Sequence, residues 1–199
     1  MRDKLHKLKL FVALTFFSSI VFCFSSLSWA VEVKPTPAQV EKAIAEGRSA
    51  NADLEALYGK YSFGDSGVNI NGLVMTKLFE ITQQSATLAS KNKKLDTAKI
   101  EEILKKDYLL FPVTLLGLSA ADFGGIKVSV RQGMKTVKAG KVIVDKPEKL
   151  FCEKETCIWK NEIYAGFYYE NFDPKRLVVL VVEYAKKKVE FPLQLGQYP

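Results

Sequence analysis

Ile126-Lys127-Val128-Ser129-Val130-Arg131 alternates apolar and polar side chains without a break. A two-residue period belongs to a strand with one buried face and one solvent face. The same reading extends along the chain in both directions from this segment. On the C-terminal side, Gly133 turns the chain. Val142-Ile143-Val144 then forms a short apolar strand, closed by Asp145-Lys146-Pro147. Residues 150–152 and 157–159 flank a polar stretch. Ile163, Ala165, Phe167 and Tyr169 share one strand face, and Tyr164, Gly166 and Tyr168 share the other. Asn171-Phe172-Asp173-Pro174 is a turn signal. Residues 177–182 are a continuous apolar run, the pattern of a central strand or one buried on both faces. Lys186 to Lys188 turn the chain into Val189, Phe191, Leu193 and Leu195. On the N-terminal side, residues 109–116 are apolar with Pro112 inside. A proline cannot donate to a ladder, so this segment predicts an edge strand. About seven short strands at this spacing predict an antiparallel β-sandwich, immunoglobulin-like in architecture, over residues 108–199.

Before residue 108 the period is helical. Thr36-Pro37-Ala38-Gln39 carries a capping threonine, a proline at the first helical position and a glutamine that reaches back to complete a capping box. Val40, Ile44, Leu54 and Leu57 fall on one face of a helix that fades near Gly59, with Gly47 as a weak spot or a point of close packing. Residues 61–72 are rich in Gly, Ser and Asn and read as a loop. A second helix runs over residues 72–91, with Val74, Leu78, Ile81, Ser85 and Leu88 as its inner stripe. Asp96 caps a third helix, whose apolar side is Ile100, Ile103 and Leu104; Leu95 can staple onto Ile100. The expected fold is therefore α+β. About three helices, within residues 31–107, pack on the C-terminal sandwich.

Residues 1–30 read as a cleavable export signal. Arg2, Lys4, Lys7 and Lys9 form a basic start, residues 10–24 carry no charge, and Ser28-Trp29-Ala30 supplies small residues at a cut after Ala30. An uncleaved anchor is the alternative, since residues 10–31 are long enough to span a bilayer. Five serines dilute that segment. A lipid-modified Cys23 is disfavoured by the large Phe22 before it. Cleavage leaves 169 residues, enough for one domain with a real core. It also leaves 25 basic and 21 acidic side chains, a net charge of +4 rather than +7. That modest charge on an exported chain does not argue for nucleic acid. It is compatible with an anionic lipid or glycan surface, or an acidic protein. The expected location is periplasmic or extracellular, with no membrane span after cleavage.

The only histidine, His6, leaves with the signal. The commonest general base and metal ligand leave with it. Gly64-Asp65-Ser66-Gly67 resembles the nucleophile segment of trypsin-like serine proteases and the serine block of GDS-type esterases. The resemblance covers four residues and implies a serine nucleophile. Both mechanisms need a histidine to take the serine proton, and Val68-Asn69 stands where the protease segment continues with glycine and proline. The segment therefore reads as a polar loop. Two cysteines without histidine make no zinc site. Asp65, Asp122, Asp145 and Asp173 sit singly, without calcium-loop spacing. Gly124-Gly125 lacks the lysine and helix of a phosphate loop. No catalytic residue, metal site or cofactor is expected. Paired carboxylates meeting only in the fold remain the alternative, as a hydrolase of envelope polymer.

Cys152 and Cys157 are the two cysteines left in the exported chain, so a disulfide is the default, with strand ends flanking a four-residue hairpin loop. A redox-active pair would more usually be Cys-x-x-Cys at a helix start. Between Asp122 and Asp145 there is no acid, while Lys127, Arg131, Lys135, Lys138 and Lys141 all occur. These cations suit either an anionic partner surface or protection of an edge hairpin against aggregation. Trp159, Tyr164, Tyr168 and Tyr169 suit a sheet face or a sugar platform. The sequence points to a non-enzymatic binding or assembly protein of the bacterial cell envelope, partner unknown.

Overall fold

The computed structural model describes residues 31–50, 54–65 and 69–198. The export signal and Ser66 lie outside the described residues. The described residues form four α-helices and two antiparallel sheets, a mixed α+β fold.

Helix α1 (Pro37–Ser49) starts as its sequence predicts. Gln39 N donates to Thr36 Oγ1, and Thr36 N donates to Gln39 Oε1. Helix α2 (Leu54–Gly59) follows as a separate short helix. Residues 61–72, expected as a loop, instead contribute a hairpin: β1 (Ser62–Asp65) pairs with β2 (Ile70–Leu73). Two of the glycines that suggested a loop, Gly64 and Gly72, serve close backbone approach here. A Cβ on Gly72 would lie 2.5 Å from Pro112 O and 2.4 Å from the Phe63 ring. The second helix consequently begins five residues later than expected. Thr76 caps α3 (Lys77–Ala89), accepting from Phe79 N at 3.0 Å. Val74, expected on the helix stripe, is buried in the sheet core. Asp96 caps α4 (Thr97–Leu104), and Leu95 and Ile100 both pack on the helical cluster of Val40, Ala43, Leu78, Ile81 and Ile103.

The remaining strands are β3 (Tyr108–Gly117), β4 (Lys127–Gln132), β5 (Lys135–Lys138), β6 (Lys141–Val144), β7 (Glu148–Glu153), β8 (Thr156–Tyr168), β9 (Leu177–Tyr184) and β10 (Lys187–Gln194). One sheet runs β1-β2-β3-β8-β6, with β7 also on β8; the other runs β10-β9-β4-β5. The apolar run in β9 is central, between β10 and β4. The two cysteine-flanking segments and the aromatic strand expected around them join into β7 and one 13-residue strand, β8.

β3 is not an edge strand, contrary to the expectation from Pro112. It pairs with β8 along its whole length and with β2 at residues 113–115. Met75 N donates to Leu110 O and Leu116 N to Asn69 O, so even-numbered residues of β3 present their backbone toward β2. Pro112 lies between Val113, where the β2 ladder stops, and Leu110, where an isolated bridge resumes. The missing N–H therefore falls in a gap of the ladder.

Phe111, Val113, Ile163, Ala165 and Phe167 of the first sheet and Val128, Val130, Val178, Leu180 and Val182 of the second belong to one buried cluster. Val31, the first described residue, is also fully buried in it.

Candidate interaction surface

β8 is longer than the strand that covers it. On one side β3 pairs with residues 159–168. On the other, β6 pairs with residues 163–166 and β7 with residues 156–160. The β7–β8 tip thus extends past β3. All of β6 and all of β7 are exposed, although the sequence of β6 is almost wholly apolar. Val142, Ile143 and Val144 are 43–47% exposed, and Leu150 and Phe151 are 57% and 58% exposed. A strand with a core on one face alternates in burial; β6 does not. Six large apolar side chains, with Ile158 as the sixth, lie along the β6–β7 edge of the first sheet, Val142 and Val144 on the face of Ala165 and Ile163, and Ile143 on the face of Tyr164. Apolar exposure concentrated on neighbouring strands marks interaction sites more often than scattered exposure does.

Two features hold this end in shape. Asp145 N donates to Glu162 O at 2.9 Å, and Asn161 Nδ2 donates to Asp145 O at 2.7 Å, fixing the bend between β6 and β7. Cys152 and Cys157 form a disulfide directly across the hairpin, with Cα atoms 4.0 Å apart. The turn between them is shorter than the four-residue loop expected. Glu153 pairs with Thr156, so only Lys154 and Glu155 turn the chain, Lys154 with φ 55°. The odd-numbered residues of β8 direct their backbone toward β3, so the cysteines occupy a non-hydrogen-bonded pair, where side chains come closest. A crosslink stands where the hairpin tip has no core to bury.

The aromatics of this region do not form one platform. Trp159 and Tyr169 pack against the core, with Lys149 Nζ over the Trp159 ring at 5.3 Å. Tyr168 lies edge-on to Tyr108. Tyr164 shares the face of Tyr168, opposite Trp159, and donates to Glu162 Oε2 at 2.8 Å. Lys160 bridges Glu148 and Glu162, both at 3.0 Å. The Lys160 ammonium and the Tyr164 hydroxyl hold the Glu162 carboxyl below the usual carboxylate range. The Glu162 hydrogen bond pushes Tyr164 up to about 12. A groove of about 230 Å³ opens beside this network, lined by Leu73, Met75, Gln83, Pro112, Thr114 and Tyr164 among others. Glu162 is its one carboxylate. A carboxyl held ionised suits ion pairing and is the reverse of the raised value a general acid needs.

The five cations of residues 127–141 are divided by the fold. Lys127, Arg131 and Lys138 share the outer face of the second sheet. Arg131 is engaged there by Glu190, Nη2 to Oε2 at 2.7 Å. Lys135 donates to Asn171 O at 2.6 Å. Lys141 belongs to the other sheet. A separate groove of about 310 Å³ contains Lys34, Lys77, Lys105 and Lys106 with Asp107 and Glu170. Lys77 is committed to structure, donating to Val33 O and Leu104 O at 2.8 and 2.7 Å. Burial lowers its pKa. Lys106 is ion-paired with Glu80 at 2.6 Å.

Among the described residues, no group of three or more Cys, Asp or Glu side chains is arranged to hold a metal ion, and no helix is long and apolar enough to cross a membrane. The exposed β6–β7 end is the feature that sequence reasoning did not single out. Its signal was the run Val142-Ile143-Val144 followed at once by a bend, too short to reach a second layer. No protein-family model matches this chain, and no curated protein matches it either.

Proposed function

We propose that this chain is an exported, non-enzymatic binding or assembly protein of the bacterial cell envelope, cleaved after Ala30, and that it works through the β6–β7 end of its first sheet. On this reading the two sheets are the layers of an immunoglobulin-like sandwich, and the helices of residues 31–107 pack against it. The observation that carries the proposal is the apolar, exposed β6 strand, whose outer backbone edge pairs with no strand among the described residues. Such an edge accepts another strand, and main-chain hydrogen bonds supply the affinity. The disulfide is compatible with an oxidising compartment. The hydrolase alternative draws less support, because Glu162 is held ionised by Lys160. So does anionic binding through residues 127–141, because Arg131 and Lys135 are already engaged.

The test is a photoreactive amino acid substituted at Ile143 in cells of the native host. A discrete covalent adduct is expected, with none from the same group at Leu177, an exposed apolar position on the other sheet. No adduct from position 143 overturns the proposal.

A further inference from the structure

The edge of β6 carries a self-complementary sequence. Asp145 N donates to Glu162 O, and the register pairs Ile143 with Tyr164 and Lys141 with Gly166. Odd-numbered residues of β6 therefore turn their backbone toward β8. Val142 and Val144 turn theirs outward, where no strand among the described residues pairs with them. The segment reads Lys141-Val142-Ile143-Val144-Asp145. Laid antiparallel against a second copy of itself about Ile143, it sets Val142 opposite Val144 and Lys141 opposite Asp145 of the other copy. The outward N–H and C=O groups of Val142 and Val144 then meet in two hydrogen-bonded pairs, and the two Ile143 residues face each other in a non-hydrogen-bonded pair.

Other registers are worse. A shift by one residue sets outward backbone groups against inward ones. A shift by two sets Ile143 opposite either Asp145 or Lys141. Edge strands are usually guarded by charges that repel a second strand. Here the two charges, Lys141 and Asp145, stand where a second copy would attract them. Among the described residues neither makes an ion pair.

We propose that this protein forms a two-fold symmetric dimer by antiparallel pairing of β6 with β6 of a second copy, which makes one continuous sheet across both molecules. The proposal rests on the β6–β7 end being the working surface and names the occupant. An isologous contact of this kind closes on itself and does not propagate into a fibre.

The exported protein, disulfide intact, is examined by sedimentation equilibrium. The expected result is a concentration-dependent dimer. Val142→Pro removes an outward N–H and leaves the ladder to β8 complete; it should yield a monomer with unchanged circular dichroism. Lys141→Asp sets acid against acid at two symmetry-related pairs and should weaken the dimer about tenfold. The double variant Lys141→Asp/Asp145→Lys restores both pairs and should restore the dimer, a result that a merely misfolded variant does not give. Ile143→Cys should give, on mild oxidation, a disulfide between the two position-143 thiols, located by peptide mapping. A monomer at every concentration overturns the proposal, as does a dimer indifferent to Val142→Pro and Lys141→Asp. An adduct from position 143 that contains a different protein, with a monomer in solution, overturns the second copy as occupant and leaves the working surface standing. No adduct at all overturns that surface as well.

Discussion

At the scale of single residues, charge placement was readable only as composition. The stretch of five cations without an acid is plain in the sequence, but Glu190, which engages Arg131, lies 59 residues away. Lys188 also reaches Glu190, at 2.8 Å. Arg131 and Lys188 together hold the Glu190 carboxyl at about 2. Its folded value lies below its unfolded one, so the contribution to stability is complete above about pH 4.5 and is lost as the pH falls toward 2. An NMR titration of the Glu190 carboxyl should show a midpoint near 2. Arg131→Ala should move that midpoint up toward the ordinary carboxylate range. The β9–β10 turn shows the same limit in backbone terms. Ala185 and Lys186 both adopt positive φ, 44° and 66°, without glycine or asparagine to announce it. The strong pairing of residues 177–184 with 187–194 imposes a conformation the turn residues do not themselves prefer.

At the scale of elements, caps and alternation were the dependable signals. Thr36, Pro37, Gln39 and Asp96 act as their sequence context predicts, because a cap is satisfied within four residues of chain. Gly47, equally consistent with weakness or close packing, proves to be close packing. A Cβ there would lie 2.2 Å from Thr82 O in α3 and 2.8 Å from Ser85 Cβ. Gly47→Ala should push α1 from α3 and cost about 1–3 kcal/mol, read as a lowered urea midpoint with little change in slope. The hairpin of β7 and β8 predicts a different kind of loss. Its disulfide closes a short loop, worth about 2 kcal/mol in the chain-entropy account. Its side chains are exposed rather than packed in the core. Cys152→Ser/Cys157→Ser should therefore accelerate amide exchange at residues 150–158 and lower the global thermal midpoint by only about 4–8 °C. A large drop in that midpoint would mean the tip is part of the cooperative core. The errors of element reading came from segments whose role depends on a distant partner. Residues 62–65 and 70–73 look like a loop by composition and become strands because β3 is there to receive them. Pro112 looks like an edge signal and sits in an interior strand, because the adjoining ladder has a gap opposite it.

At the scale of the whole molecule, the first described residue, Val31, is already buried among the side chains of the sheet core. N-terminal sequencing of the exported protein should return Val31-Glu32-Val33; an exported chain beginning at Met1 would contradict cleavage. The sequence by itself determined the mixed α+β class, the caps at Thr36 and Asp96, the central position of residues 177–182 and the pairing of the two cysteines. Each of these rests on local periodicity or on the only partner left. Tertiary structure alone decided that residues 62–73 join the sheet, that the cations divide between two sheets, and that β6 is left apolar and uncovered. Those outcomes depend on which strands lie side by side and how far each extends. A one-dimensional pattern records which residues could be buried, and only the packed layers determine which of them find something to be buried against.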